Sequence, residues 1–145
     1  MSLFLSVPRH TLSKTDRLKS HKRIRLLFAE GQKMKVQSLL VYIQLQPQPS
    51  NASEKIHLQM GVSVGARYFK KAVDRNLIKR RIREAYRQNN IDVKKVLKEH
   101  NLGMDVFFVY TAPEVLLYKQ IETSMQKALQ QLTDKINCFS NSKAV

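Results

Sequence analysis

Over the run from Lys70 to Arg87, KKAVDRNLIKRRIREAYR, apolar and basic residues recur with a helical period. At about 100° per residue, Leu77, Ile78, Ile82 and Ala85 gather on one side, and Arg75, Asn76, Lys79, Arg80, Arg83 and Arg87 on the other. The pattern predicts a helix with one face for a core and one for an anion. Arg81 projects among the apolar residues, where its stem is expected to lie over the core edge with its head reaching water.

The rest of the chain supplies shorter signals. Ile24, Leu27 and Phe28 follow helical spacing, with Ser20 placed as N-cap and Gly31 just past the end, which predicts a helix from about Ser20 to Glu30. Ser38 to Gln46 and Ile56 to Val64 alternate as strands, joined by the loop PQPSNASE, and a short strand near Lys33 to Val36 precedes them. Gly65-Ala66-Arg67 turns the chain into the basic helix. Ile91 to His100 reads as a short helix or ordered loop, and the apolar run Asp105 to Tyr110 as a buried strand. Tyr118 to Ile136 carries Ile121, Met125, Ala128, Leu129 and Leu132 in helical register, a structural helix. Residues 1–12 are expected to be a loose lead-in, 13–136 a single domain, and 137–145 a loose tail. The order α-β-β-β-α-β-α predicts an α/β fold of the α+β two-layer sandwich kind, a small mixed sheet packed with helices. Pattern alone leaves open whether the last strand pairs parallel.

A chain of 145 residues, 43% hydrophobic and 26% charged, can bury a core without disulfides or metals and is unlike a disordered basic tail. Its charge is the unusual feature. Lys and Arg number 26 against 11 Asp and Glu, a formal +15, which implies a polyanionic partner and, most simply, RNA or DNA. The charge is concentrated in two places. In the Lys70 to Arg87 run, only Asp74 and Glu84 oppose eight Lys and Arg, whereas a solvated face usually mixes signs. A second cluster spans Arg9, Lys14, Arg17, Lys19, Lys22, Arg23, Arg25, Lys33 and Lys35. Arg67, Lys70 and Lys71 surround the start of the basic helix, where backbone N–H groups and the helix dipole already favour a phosphate. Beside the second cluster, Leu27 reads as core, while Ile24 and Phe28 offer a stacking surface for an unpaired base. Tyr42 shares a strand face with Leu40 and Gln44 and by itself reads as core.

Chemistry is sparse by comparison. Asp16, Glu30, Asp74, Glu84, Asp92 and Asp105 occur singly, and His10, His21, His57 and His100 are far apart. No zinc spacing or phosphate-binding G-x-x-x-x-G-K is present, and each histidine reads as a surface or locally hydrogen-bonded residue. Cys138 has no intrachain partner, no run is long enough to span a bilayer, and the opening MSLFLSV lacks the features of a signal peptide. A soluble cytoplasmic protein is the expectation.

The segment Lys71-Ala72-Val73-Asp74-Arg75-Asn76-Leu77-Ile78-Lys79-Arg80-Arg81-Ile82-Arg83-Glu84-Ala85 closely resembles the signature helix of the bacterial ribonuclease P protein subunit, usually N-A-V-x-R-N-R-I-K-R-x-x-R. Arg17-Leu18-Lys19, Phe28-Ala29-Glu30-Gly31, Val41-Tyr42, Gly61-Val62-Ser63-Val64, the strand around Phe107 and the final helix fit in order, so the resemblance covers roughly Leu12 to Ile136. Four departures stand out. Lys71 replaces a frequent Asn, Leu77 replaces the last Arg of R-N-R, Gly65-Ala66-Arg67 replaces a usual Ser-Lys-Lys, and Ile24 stands where an aromatic is common.

The resemblance implies a protein that assembles with a large catalytic RNA to remove the 5′ leader of precursor tRNA. The active site would lie in the RNA with its magnesium ions, so no catalytic residue, metal or cofactor is expected on the protein alone, nor a membrane or small-molecule partner. Carried over by position, Arg75, Asn76, Lys79, Arg80 and Arg83 face RNA, and Ile24, Phe28 and Tyr42 line a leader cleft with Arg67 and Lys70 near its rim. Lys71 and Arg87 extend the RNA-binding set. A left-handed crossover around the signature helix is also implied. Two other readings remain: a general RNA-binding or ribosome-associated protein with no part in cleavage, and a nuclease acting without RNA.

Overall fold

The computed structural model describes residues 14–47 and 56–143. The expected lead-in lies outside them, as does most of the PQPSNASE loop. After a short 3-10 turn, Lys14–Asp16, come α1 (His21–Glu30), β1 (Gln32–Val36), β2 (Leu39–Pro47), β3 (Leu58–Val64), α2 (Ala72–Asn89), α3 (Ile91–Glu99), β4 (Leu102–Tyr110) and α4 (Tyr118–Lys143). The mixed α/β architecture is as the pattern indicates, with one helix more than the predicted order. Ile91 to His100 forms a true helix, because Val93 and Leu97 are fully buried and Asn101 ends it at a positive φ of 54°.

The sheet runs β1-β2-β4-β3. β2 is antiparallel to β1 and β4, while β3 and β4 are parallel, connected through α2 and α3. One face carries the main core, in which Val41, Ile43, Met60, Val106 and Phe108 meet Ile78 and Ile82 of α2 and Ile121, Met125 and Leu132 of α4. The other face is only partly covered. There α1 lays Leu27 on Phe107, with Leu18 beside them, leaving a second, smaller apolar cluster.

Element ends follow local chemistry. The Ser20 hydroxyl accepts from the Arg23 N–H at 3.4 Å, the expected N-cap. Gly31 closes α1 with extended backbone, φ −70°. Glycine is required there for closeness rather than handedness, since a Cβ would lie 2.8 Å from Leu27 Cδ1 and 2.9 Å from the Ile43 carbonyl oxygen. α2 starts at Ala72 rather than Lys70, because Arg75 holds the preceding turn through the carbonyls of Phe69 and Lys70 at 2.6 and 3.0 Å. Arg81 does cross the core edge, but its head donates to the Leu116 carbonyl at 2.5 Å instead of reaching freely into water.

Residues 137–143, expected to belong to a loose tail, are helical, and residues 144–145 of that tail lie outside the described residues. α4 continues to Lys143, with Ile136 fully buried and Phe139 packed against the core. Both ring nitrogens of His100 bind this extension, Nε2 to Asn137 Oδ1 at 3.0 Å and Nδ1 to Ser140 Oγ at 2.7 Å.

Candidate nucleic-acid interface

Strand register builds the site on the partly covered face. Lys33, Tyr42, Phe107 and Gly61 stand opposite one another across β1, β2, β4 and β3, and directly opposed residues share a face. Gly61 lets the Phe107 ring lie over β3. From α1, Phe28 meets Tyr42 edge-on at 4.6 Å between centroids and Phe107 at 5.0 Å, while remaining 42% exposed. The three rings form an aromatic floor with one accessible member.

Beside this floor, along the outer margin of β3, opens a cleft of about 300 Å³. It is lined by Arg17, Leu18, Lys19, Ile24, Met60, Gly61, Val62, Arg83 and Phe107. The segment before α1 forms its wall: Arg17 bridges to Met60, and the Leu18 N–H donates to the Met60 carbonyl at 2.8 Å. Arg83 enters from α2. Its pKa is lowered by burial and, secondarily, by the neighbouring Arg17 charge. Guanidinium groups stay charged in proteins, so this direction marks unrelieved electrostatic cost rather than neutralisation. Among the described residues, Arg17 Nε is buried without a hydrogen-bond partner. A buried donor in that state favours an arriving acceptor.

Of the anticipated cleft residues, Phe28 and Tyr42 are brought into ring contact and Ile24 lines the adjacent cleft. Phe107, Arg17 and Lys19 join them. Phe107 lies in an all-apolar run where alternation does not reveal its face. Arg17 and Lys19 belong to the second basic cluster, but nothing in their spacing tells that they wall a cleft.

The basic residues of α2 divide by environment. Asn76 and Arg80 are exposed, and Lys79 is half-buried. Arg75 is committed to the turn carbonyls, and Arg87 is paired with Glu84 through Nη2–Oε1 at 2.7 Å and Nε–Oε2 at 3.2 Å. That pairing raises the Arg87 pKa and offsets much of its charge. Arg67, Lys70 and Lys71 are exposed around the start of α2, and Lys71, at the N-cap, makes no side-chain capping bond. Arg67 lies over the Tyr68 ring, 5.9 Å from its centroid.

A polar node fastens α1 to the sheet. Buried Asp105 receives Arg23 Nη2 at Oδ2 and His57 Nε2 at Oδ1, each at 2.8 Å, and the Arg23 and His57 nitrogens are themselves 2.8 Å apart. Sequence spacing does not foretell this convergence. Among the described residues, no group of three His, Cys, Asp or Glu is placed to hold a metal ion, and no helix is long and apolar enough to cross a membrane.

A family model described as Ribonuclease P matches residues 12–133. The chain belongs to the ribonuclease P protein family. Within it, the Ribonuclease P protein component of Porphyromonas gingivalis is 33% identical over 131 residues, covering 90% of this chain and 93% of that one. The solved RNase P protein of Staphylococcus aureus is similar at TM-score 0.57 and 27% identity, over 81% of this chain and 94% of its own. The RNase P protein of Thermotoga maritima shares the fold at TM-score 0.58, with 21% identity over 79% of this chain and 96% of its own. The ribonuclease P match stops within α4, so the turns anchored by His100 lie beyond it.

Proposed function

We propose that this chain is the protein subunit of a cytoplasmic ribonuclease P ribonucleoprotein, binding a catalytic RNA through the exposed face of α2 and the single-stranded 5′ leader of precursor tRNA in the cleft. The observation that carries the reading is the meeting of Arg17 and Arg83 beside the Phe28–Tyr42–Phe107 floor. A leader phosphate between the two guanidiniums would accept from Arg17 Nε and relieve their mutual repulsion. A neighbouring base would meet the exposed ring of Phe28, since single-stranded RNA is held by such pairings of aromatic and cation. Arg83 belongs both to α2 and to the cleft wall, so RNA docked on Asn76 and Arg80 would lie next to the leader path.

In this reading the protein positions the leader and screens charge. Magnesium and the hydrolytic step belong to the RNA partner, and the chain binds no cofactor of its own. Reconstitution with a bacterial-type catalytic RNA is the test. Cleavage of precursor tRNA at low magnesium is expected to improve, and affinity for precursor is expected to exceed that for mature tRNA. No improvement, or equal affinity for ribosomal RNA, would overturn the assignment in favour of a general RNA binder. Cleavage by protein alone would move the active site onto this chain.

A further inference from the structure

β1 carries two lysines that the cleft does not use. Lys33 stands opposite Tyr42 and Lys35 opposite Leu40, which puts both on the outer face of the sheet, while Met34 and Val36 turn to the core. Both lysines are exposed, and neither enters an ion pair among the described residues. The rows they begin cross the sheet. One is Lys33, Tyr42, Phe107 and Gly61; the other is Lys35, Leu40, Val109 and Ser63, whose last three members are half-buried. At about 4.8 Å between strands, β1 lies about 14 Å from β3. The cationic cleft and the two lysines therefore stand at opposite margins of one apolar face.

Resting on the leader-binding reading above, we infer that Lys33 and Lys35 form a second phosphate subsite, for the part of the leader that has crossed the sheet. Positive charge at both ends of an apolar track matches an extended single strand, with its bases toward the floor and its phosphates reaching cations at either margin. Ammonium–phosphate contacts read no base edge, so this subsite senses leader length rather than leader sequence. β1 is also an edge strand, and lysines on such a strand can instead serve to discourage pairing with a second chain.

The test uses the reconstituted holoenzyme with the double variant K33Q/K35Q and two precursor tRNAs, one with a short leader and one with a long leader. Long-leader affinity is expected to fall, with the salt dependence flattened by about 1.4 units for two lost single-strand phosphate contacts. Short-leader affinity and binding of the catalytic RNA are expected to stay unchanged. Equal loss on both substrates, or no loss on either, would overturn the subsite. So would self-association of the variant with unaltered leader affinity, which would identify the lysines as edge guards. Wild-type protein that does not distinguish precursor from mature tRNA would refute the underlying function, a separate result from a variant that keeps its length dependence.

Discussion

Gly61 lies directly against the ring of Phe107: a Cβ built at position 61 would fall 2.5 Å from Phe107 Cδ2 and 2.6 Å from Cε2. Gly61→Ala must therefore displace an aromatic ring that also touches Phe28. The expected cost is about 1–3 kcal/mol of stability, as for other overpacked sites. Denaturant unfolding checks it, and leader affinity is expected to fall as the floor shifts.

Asp105 is the hub that fixes α1. Asp105→Ala leaves Arg23 and His57 without their shared acceptor and is expected to destabilise by about 2–3 kcal/mol. Arg23→Ala should cost less, about 1 kcal/mol, because that side chain is partly solvated and His57 still binds the carboxylate. A double-mutant cycle should return a coupling of about 0.5–2 kcal/mol between the two.

Arg75 and Arg80 sit five residues apart in one signature, and their substitution should have opposite consequences. Arg75→Ala frees the carbonyls of Phe69 and Lys70 and is expected to lower stability by about 1 kcal/mol. Arg80→Ala is expected to leave thermal unfolding unchanged and to flatten the salt dependence of RNA binding by about one unit. Unfolding curves and filter-binding titrations at several salt concentrations separate the two.

Alkaline stability should report on the contact between α4 and its own first turn. Burial and the hydrogen bond to Glu122 push the Tyr118 phenol up to about 12, so the folded state keeps its proton after the unfolded chain has lost it. This stabilisation is complete below about pH 10, the ordinary tyrosine value, and is lost as pH rises from there to about 12. Tyr118→Phe is expected to remove that part of the decline, measured by unfolding across the same pH window.

How far the sequence disclosed this arrangement depends on what holds each part. α1 and α2 are legible because apolar period, a Ser20 cap and a terminal Gly31 all act locally. The last turns of α4 are not, because their anchors include the His100 bonds to Asn137 and Ser140, which no hydropathy pattern records. The Asp105 node joins residues of α1, β4 and the approach to β3 and exists only once the sheet is assembled. The signature of α2 marks where RNA is expected to bind but not which cations are free. Glu84 and the turn carbonyls decide that for Arg87 and Arg75.

β4 is the last strand in sequence, yet it lies between β2 and β3. Until residues through Tyr110 have left the ribosome, β3 has no strand to pair with, and α2 has only part of the surface it packs on. Closing the sheet requires contacts of long sequence separation, which makes it a late and comparatively slow event. An incomplete chain thus exposes its arginines without the scaffold that orders them. The interface matures only after β4 has emerged.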